Sequence, residues 1–374
     1  MKSVNTAIVV TTIQEPTACM HTLAARALEH GLQWIVVGDR KGPSQFSLAP
    51  AELLSIEQQR DLPFRIARAL PEKHYARKNI GYLVAISRGC HCIYETDDDN
   101  APTDAWDIRT PETEAYRVRT LTDVHWANIY EAYTSELIWP RGLPLDRARR
   151  RFSDDFELRA APVRVIAPIQ QGLANGSPDV DAVWRLILDH DVVFDESPSI
   201  LLPRGVWCPF NSQNTWWWQD AFPLLYLPSY CSFRMTDIWR SFVAQRCLWE
   251  LGYELEFHRA DVEQKRNEHD LMRDFDQETV GYLRNEQIRQ ILDACDLDAG
   301  PAHLTHNLWV CYEALARAEV VEQKELPLLE AWIEDCGVAM RALSPQPRST
   351  PTSREPSGVG VEALLQVPRP QPHA

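Results

Sequence analysis

Residues 77–100 read RKNIGYLVAISRGCHCIYETDDDN. Arg77–Arg88 has the apolar spacing of a helix, and Gly89 is a natural stop for it. Cys90–Glu95 then reads as a strand that ends at Asp97-Asp98-Asp99. The same alternation precedes it. Asn5–Ile13 (NTAIVVTTI) is a β-branched run of the kind buried in a sheet. Pro16 opens a helix that reaches His30 and stops at Gly31. Trp34–Gly38 (WIVVG) is a second strand, followed by the loop Gly38–Pro43, and Ala51–Arg60 reads as helix. Strands alternating with helices predict an α/β fold: a mostly parallel twisted sheet flanked by helices.

Further along, residues 120–260 are rich in Trp, Pro and Asn and lack clean periodicity. They read as long loops with short strands near Val163–Ile169 and Ile200–Pro203, and Trp216–Trp218 falls in one such loop. Thr236–Gly252 reads as a helix, and so do Asn285–Cys295, Leu304–Gln323 and Pro327–Leu343. Ser344–Ala374 carries seven of the 26 prolines and too little apolar surface to offset chain entropy. The expected organisation is a catalytic domain over 1–260, a helical region over 261–343 and a disordered Pro-rich tail over 344–374.

The chain has 374 residues, of which 45% are hydrophobic and 24% charged, enough for a packed core. A net charge of -15 argues against a nucleic-acid partner, which needs a basic footprint. The apolar runs fall far short of the ~20 residues of a membrane span, and Met1–Thr12 lacks the pattern of a secretory signal. A cytoplasmic protein is expected. Nine cysteines in no framework spacing read as buried, reduced thiols.

In parallel sheets, ligands sit beyond the carboxyl ends of the strands. Thr11 and Thr12, Asp39, and Asp97-Asp98-Asp99 all fall there. Three adjacent carboxylates repel one another and need a counter-ion or full solvation. A strand-end D-x-D suits Mn²⁺ or Mg²⁺ bridging a diphosphate, with Asp97 and Asp99 as ligands; the alternative is a solvated acidic turn. Lys41 in the loop after the second strand, Arg77, Lys78 and Asn79 upstream of the triplet, and Arg141 in the rigid loop WPRGLP could reach the same donor. Asp39 could accept hydrogen bonds from a base or ribose, or cap its own turn. Asp237, near a helix start, is kept ionised by the helix dipole and could take a proton from a hydroxyl. Asp179 and Asp181 are rivals for that role, or contact sugar hydroxyls, or cap the helix that follows.

At these segments the chain resembles GT-A-fold glycosyltransferases. WIVVGDRKGP (34–43), ARKNIGYLVAI (76–86), IWPRGLPL (138–145), IQQGLANGSPDVDAV (169–183), PFNSQNT (209–215) and TDIWRSFVAQRCLWELG (236–252) more narrowly resemble the STELLO family of plant Golgi glycosyltransferase-like proteins. PDVDA (178–182) is also similar to the UDP-arabinopyranose mutases. The resemblance implies a GT-A nucleotide-sugar site, to which the C-terminal helices read from periodicity would add a helical extension. Asp97, Asp98 and Asp99 match the metal-binding D-x-D; Thr11, Asp39, Lys78 and Asn79 fall where that fold contacts the nucleotide. Asp237 lies near the base of inverting members, and Gln245, Arg246 and Trp249 loosely match the Q-x-x-R-W of processive synthases.

The expected function is metal-dependent transfer of a sugar from a nucleotide diphosphate sugar to a glycan or other hydroxyl acceptor. A mutase, with Arg141 or Arg204 holding the sugar, is one alternative. A non-catalytic scaffold that binds protein partners through its C-terminal helices or tail is the other.

Overall fold

Thr6–Thr11 (β1) is buried on both faces, and its period-two alternation feeds two separate cores. Ile8 and Val10 point to one side, where Ala18–Glu29 (α1) packs; Ala7 and Val9 point to the other. Gln33–Val37 (β2) and Ala51–Leu54 (β3) extend the sheet in parallel from β1. The computed structural model describes residues 5–341 and 343, so the tail expected at 344–374 lies outside the described residues.

One expectation changes here. Ala51–Leu54 is a strand rather than the start of a helix, because its backbone pairs with β2; only Ile56–Asp61 (α2) is helical, behind a Ser55 capping box. Arg65–Ala69 (α3) and Lys78–Ser87 (α4) follow, then Cys92–Thr96 (β4), which pairs in parallel with the other edge of β1. Gly89 takes φ +78 and ends the α4 segment as expected. Gly81 lets α4 press onto the sheet: a Cβ there would lie 2.6 Å from Val9 and 2.7 Å from Val37.

Beyond β4 the sheet turns mixed rather than mostly parallel. The chain adds Asn100–Pro102 (β5), Glu112–Thr120 (β6), Phe152–Asp155 (α5), Phe156–Leu158 (β7), Val163–Ile166 (β8) and Ile169–Gly176 (β9). Then come Ala182–Ile187 (α6), Ile200–Leu202 (β10), Asn214–Trp218 (β11), Thr236–Glu250 (α7) and Leu255–Gln264 (β12). The main order is β3-β2-β1-β4-β11-β9-β12-β10-β6-β7, with β5 on β12 and β8 on β6. β11 runs antiparallel to both β4 and β9. Trp216–Trp218 therefore belong to a buried strand, not a loop. Trp216 and Trp218 stack on one face, and Trp217 points to the other, where its Nε1 donates to Glu95.

Leu271–Asp293 (α8), Leu304–Arg317 (α9) and Leu326–Met340 (α10) close the fold. They are joined to the rest by buried polar contacts. Asp335 accepts from the Ile66 amide at 2.8 Å, Trp332 Nε1 donates to Pro223 O at 2.9 Å, and Glu325 takes the amides of Ser229 and Tyr230. All nine cysteines are free and seven are buried. Among the described residues, no helix is long and apolar enough to cross a membrane.

Candidate active site

The carboxyl ends of β1, β2 and β4 open on one cavity of about 690 Å³. Thr11 and Thr12 come from the first, Asp39 from the loop after the second, and Asp97–Asp99 from the third. Adjacent parallel strands start and stop in register, so residues 86 apart in sequence meet at one edge. Thr12 Oγ1 donates to Asp98 Oδ2, and Thr17, which caps α1, donates to the Asp98 carbonyl.

Each carboxylate of the triplet has its own support. Asp97 accepts from Lys78 Nζ at 2.9 Å, Asp98 from Asn267 Nδ2 at 3.3 Å, and Asp99 from Gln264 Nε2 at 3.0 Å. Burial pushes Asp97 up to about 6, against the opposing pull of Lys78. Burial, followed by the charges of Asp97 and Asp98, pushes Asp99 up to about 7. Three carboxylates share one ammonium, Lys78, so the triplet keeps an excess of negative charge. Its donors are carboxylate oxygens only, which fits a hard divalent cation that keeps positions for phosphate and water. Among the described residues, no group of three or more His, Cys, Asp or Glu side chains is placed to hold a metal ion, so a cation here would rest on one or two carboxylates with phosphate and water in the other positions.

On another wall, Arg141 stands between two carboxylates. Its Nε and Nη2 reach Asp179 at 2.8 Å each, and its Nη1 and Nη2 reach Asp237 at 3.0 and 2.9 Å. The fifth contact runs from Nη1 to the Arg234 carbonyl. Gly142, with φ +95, makes room for this turn, because a Cβ there would collide with Ile238. Although burial opposes it, Arg141 holds Asp237 down to about 2, so Asp237 is ionised at neutral pH.

Other sequence-derived candidates divide. Asp39, Lys41 and Arg77 line the cavity. Asp39 also caps its own loop, accepting from the amides of Arg40 and His74. Arg77 spends Nε on Gln59 and Nη1 on the Leu70 carbonyl, leaving Nη2 buried without a partner. Lys78 and Asn79 do not line the cavity. Lys78 is fully buried beneath Asp97, and Asn79 clamps the backbone of Leu227 through both amide atoms. Asp181 does not line it either: it caps α6, accepting from the Trp184 amide and from Trp139 Nε1. Gln245 binds the Cys208 amide, Arg246 binds the Leu292 and Cys295 carbonyls, and Trp249 packs on Trp207, all outside the cavity lining. Neither mutase arginine is a free nucleophile: every N–H of Arg141 faces an acceptor, and Arg204 pairs with Glu250 away from the lining.

Several lining residues carried no individual signal. Asn211 and Gln213 lie in PFNSQNT, a segment that carries part of the resemblance. Lys73, His74, Tyr75 and Phe233, from the turns before α4 and α7, had none, nor did Gln264, Asn267, His269 and Arg273, which the long-range pairing of β12 and the start of α8 bring in.

A family model described as STELLO glycosyltransferases matches residues 234–342. Two Arabidopsis thaliana proteins, "Probable glycosyltransferase STELLO1" and "Probable glycosyltransferase STELLO2", are 33% and 32% identical in alignments of 262 residues that cover 66% of this chain. These bear out the resemblance read from the sequence. The chain spans about a third of the length of both relatives (33% and 34%).

Proposed function

We propose that the chain is a metal-dependent glycosyltransferase that moves a sugar from a nucleotide diphosphate sugar, a UDP-sugar in our reading, to a hydroxyl acceptor. The observation that carries this is the meeting of Asp97–Asp99 with Thr11, Thr12 and Asp39 at three parallel strand ends around one cavity. Asp97 and Asp99 would hold Mn²⁺ or Mg²⁺, which supplies charge neutralisation at the leaving diphosphate. Lys41, Lys73 and Arg273 line the same cavity and have no ion-pair partner among the described residues, so they are available to an anionic donor. Asp39 would orient the nucleoside. The likeness to proteins named glycosyltransferases supports the same reading.

In this reading Asp237 takes the acceptor proton. A carboxylate held near 2 is a weak base toward a ground-state hydroxyl. Transfer becomes favourable only as the glycosidic bond breaks and the attacking hydroxyl turns acidic, so proton removal is late. Asp179, on the far side of Arg141, is the second candidate.

The test is thermal unfolding with UDP-sugars, with and without Mn²⁺. Ligand at a hundredfold excess over Kd adds ~2.7 kcal/mol of apparent stability. A metal-dependent shift that disappears in Asp97→Ala and Asp99→Ala is expected. No shift with any donor in folded protein overturns the proposal.

A further inference from the structure

The cavity contains an aromatic ring that the donor chemistry above does not use. Phe233 lies at its wall with 48% of its surface exposed, in a chain whose thirteen Trp and most other rings are turned inward. It is not a loose surface residue. His74 and Tyr75 meet it edge to face at centroid distances of 5.7 and 6.4 Å, and Ser232 beside it donates to the Gln277 carbonyl of α8. The next residue, Arg234, gives its carbonyl to Arg141, so the ring is tied through one peptide to the Asp179–Arg141–Asp237 cluster.

We propose that Phe233, Asp179 and Asp237 form an acceptor subsite for an uncharged pyranose ring. This rests on the glycosyltransferase reading and names its acceptor chemistry. A pyranose offers a C–H face that packs on an aromatic ring and a rim of hydroxyls that donate hydrogen bonds. Here the flat apolar surface, the buried Asp237 and the partly buried Asp179 share one cavity. Arg141 fixes both carboxylates by their oxygens, with side chains 13% and 8% exposed, so they are oriented before a ligand arrives. Arg141 is set against both carboxylates, while the nearby Arg234 and Arg240 are taken up by Glu278 and Glu95, so this corner keeps an excess negative charge, which disfavours a carboxylated or phosphorylated acceptor. The low pKa of Asp237 keeps that charge in place across the physiological range.

The experiment is saturation-transfer NMR on the full chain, with methyl β-glucopyranoside, methyl β-galactopyranoside, methyl α-mannopyranoside, methyl β-xylopyranoside and methyl β-glucuronide as probes. We expect at least one neutral glycoside to take up saturation, strongest on the protons of one C–H face, and the glucuronide at least fivefold less. Phe233→Ala should lower the signal at least fivefold and Phe233→Tyr should restore it. Because the ring is half exposed, neither variant threatens folding, and the melting temperature checks that. Absence of saturation with every neutral glycoside, preference for the glucuronide, or an unchanged signal in Phe233→Ala overturns the subsite. The UDP-sugar shift is read on the same protein. Glycoside binding without any donor shift supports the subsite and removes the transferase reading; a donor shift without glycoside binding does the reverse.

Discussion

Lys78 Nζ sits 2.9 Å from Asp97 Oδ1 although the lysine side chain has no exposed surface. The same ammonium donates to the Thr96 carbonyl at 2.8 Å and lies 4.0 Å from Glu95, whose carboxylate is held by Arg240 at 2.8 Å. A residue at the first turn of α4 thereby becomes the floor of the acidic triplet instead of a ligand for substrate phosphate.

Replacing that lysine exposes how much the floor matters. Lys78→Met should destabilise the fold by about 3 kcal/mol, because Asp97 and Glu95 lose a fully buried cation. Urea unfolding at pH 7 measures it. A loss below about 1 kcal/mol would show that the pair is not holding the triplet in place.

Asp237→Asn keeps the shape of the Arg141 cluster but cannot accept a proton. Turnover should fall by roughly 10²–10⁴-fold, while the donor-induced thermal shift persists. Equal turnover in this variant, with loss instead in Asp179→Asn, would transfer the base to Asp179.

The closeness of α4 to the sheet can be tested away from the charged groups of the site. Gly81→Ala places a methyl against Val9 and Val37, both packed, and should cost about 1–3 kcal/mol. Chemical denaturation of the variant beside wild type reads the difference.

Glu256 provides a pH signature. Burial pushes it up to about 7, while Thr113 at 2.7 Å and Arg109 pull the other way, and Oε2 has no partner. Because its folded pKa is raised, its stabilising contribution is complete below the unfolded value of about 4.3 and is lost as pH rises toward and through 7. Glu256→Gln removes this dependence. The variant should gain on the order of 3 kcal/mol relative to wild type between pH 4 and pH 8. Parallel melting-temperature curves for the two proteins would refute this.

The N-terminal elements were legible because their signals are local. NTAIVVTTI and WIVVG are uninterrupted apolar runs, and Gly31 and Gly89 end the helices before them in left-handed conformations of φ +64 and +78. AELL at 51–54 was not, since four residues of mixed propensity take their state from the β2 edge. Strands β9, β11 and β12 were hidden by polar residues that would mark a loop in water. Gln170 is matched inside by His258, Gln171 by the Thr215 hydroxyl, and Asn214 by Asp261. Such pairs join positions tens of residues apart, which no window along the chain contains.

By itself the sequence determined that a strand-end acidic triplet exists, that a basic helix start precedes it, and which family the segments resemble. Periodicity and neighbouring residue types suffice for that, because they act over a few residues. Only the tertiary structure decided that Lys78 supports Asp97, that Asp181 caps a helix, that Arg141 joins Asp179 to Asp237, and that Phe233 faces the same cavity. Those outcomes depend on which groups are desolvated together, and that is fixed by the packing of the whole chain.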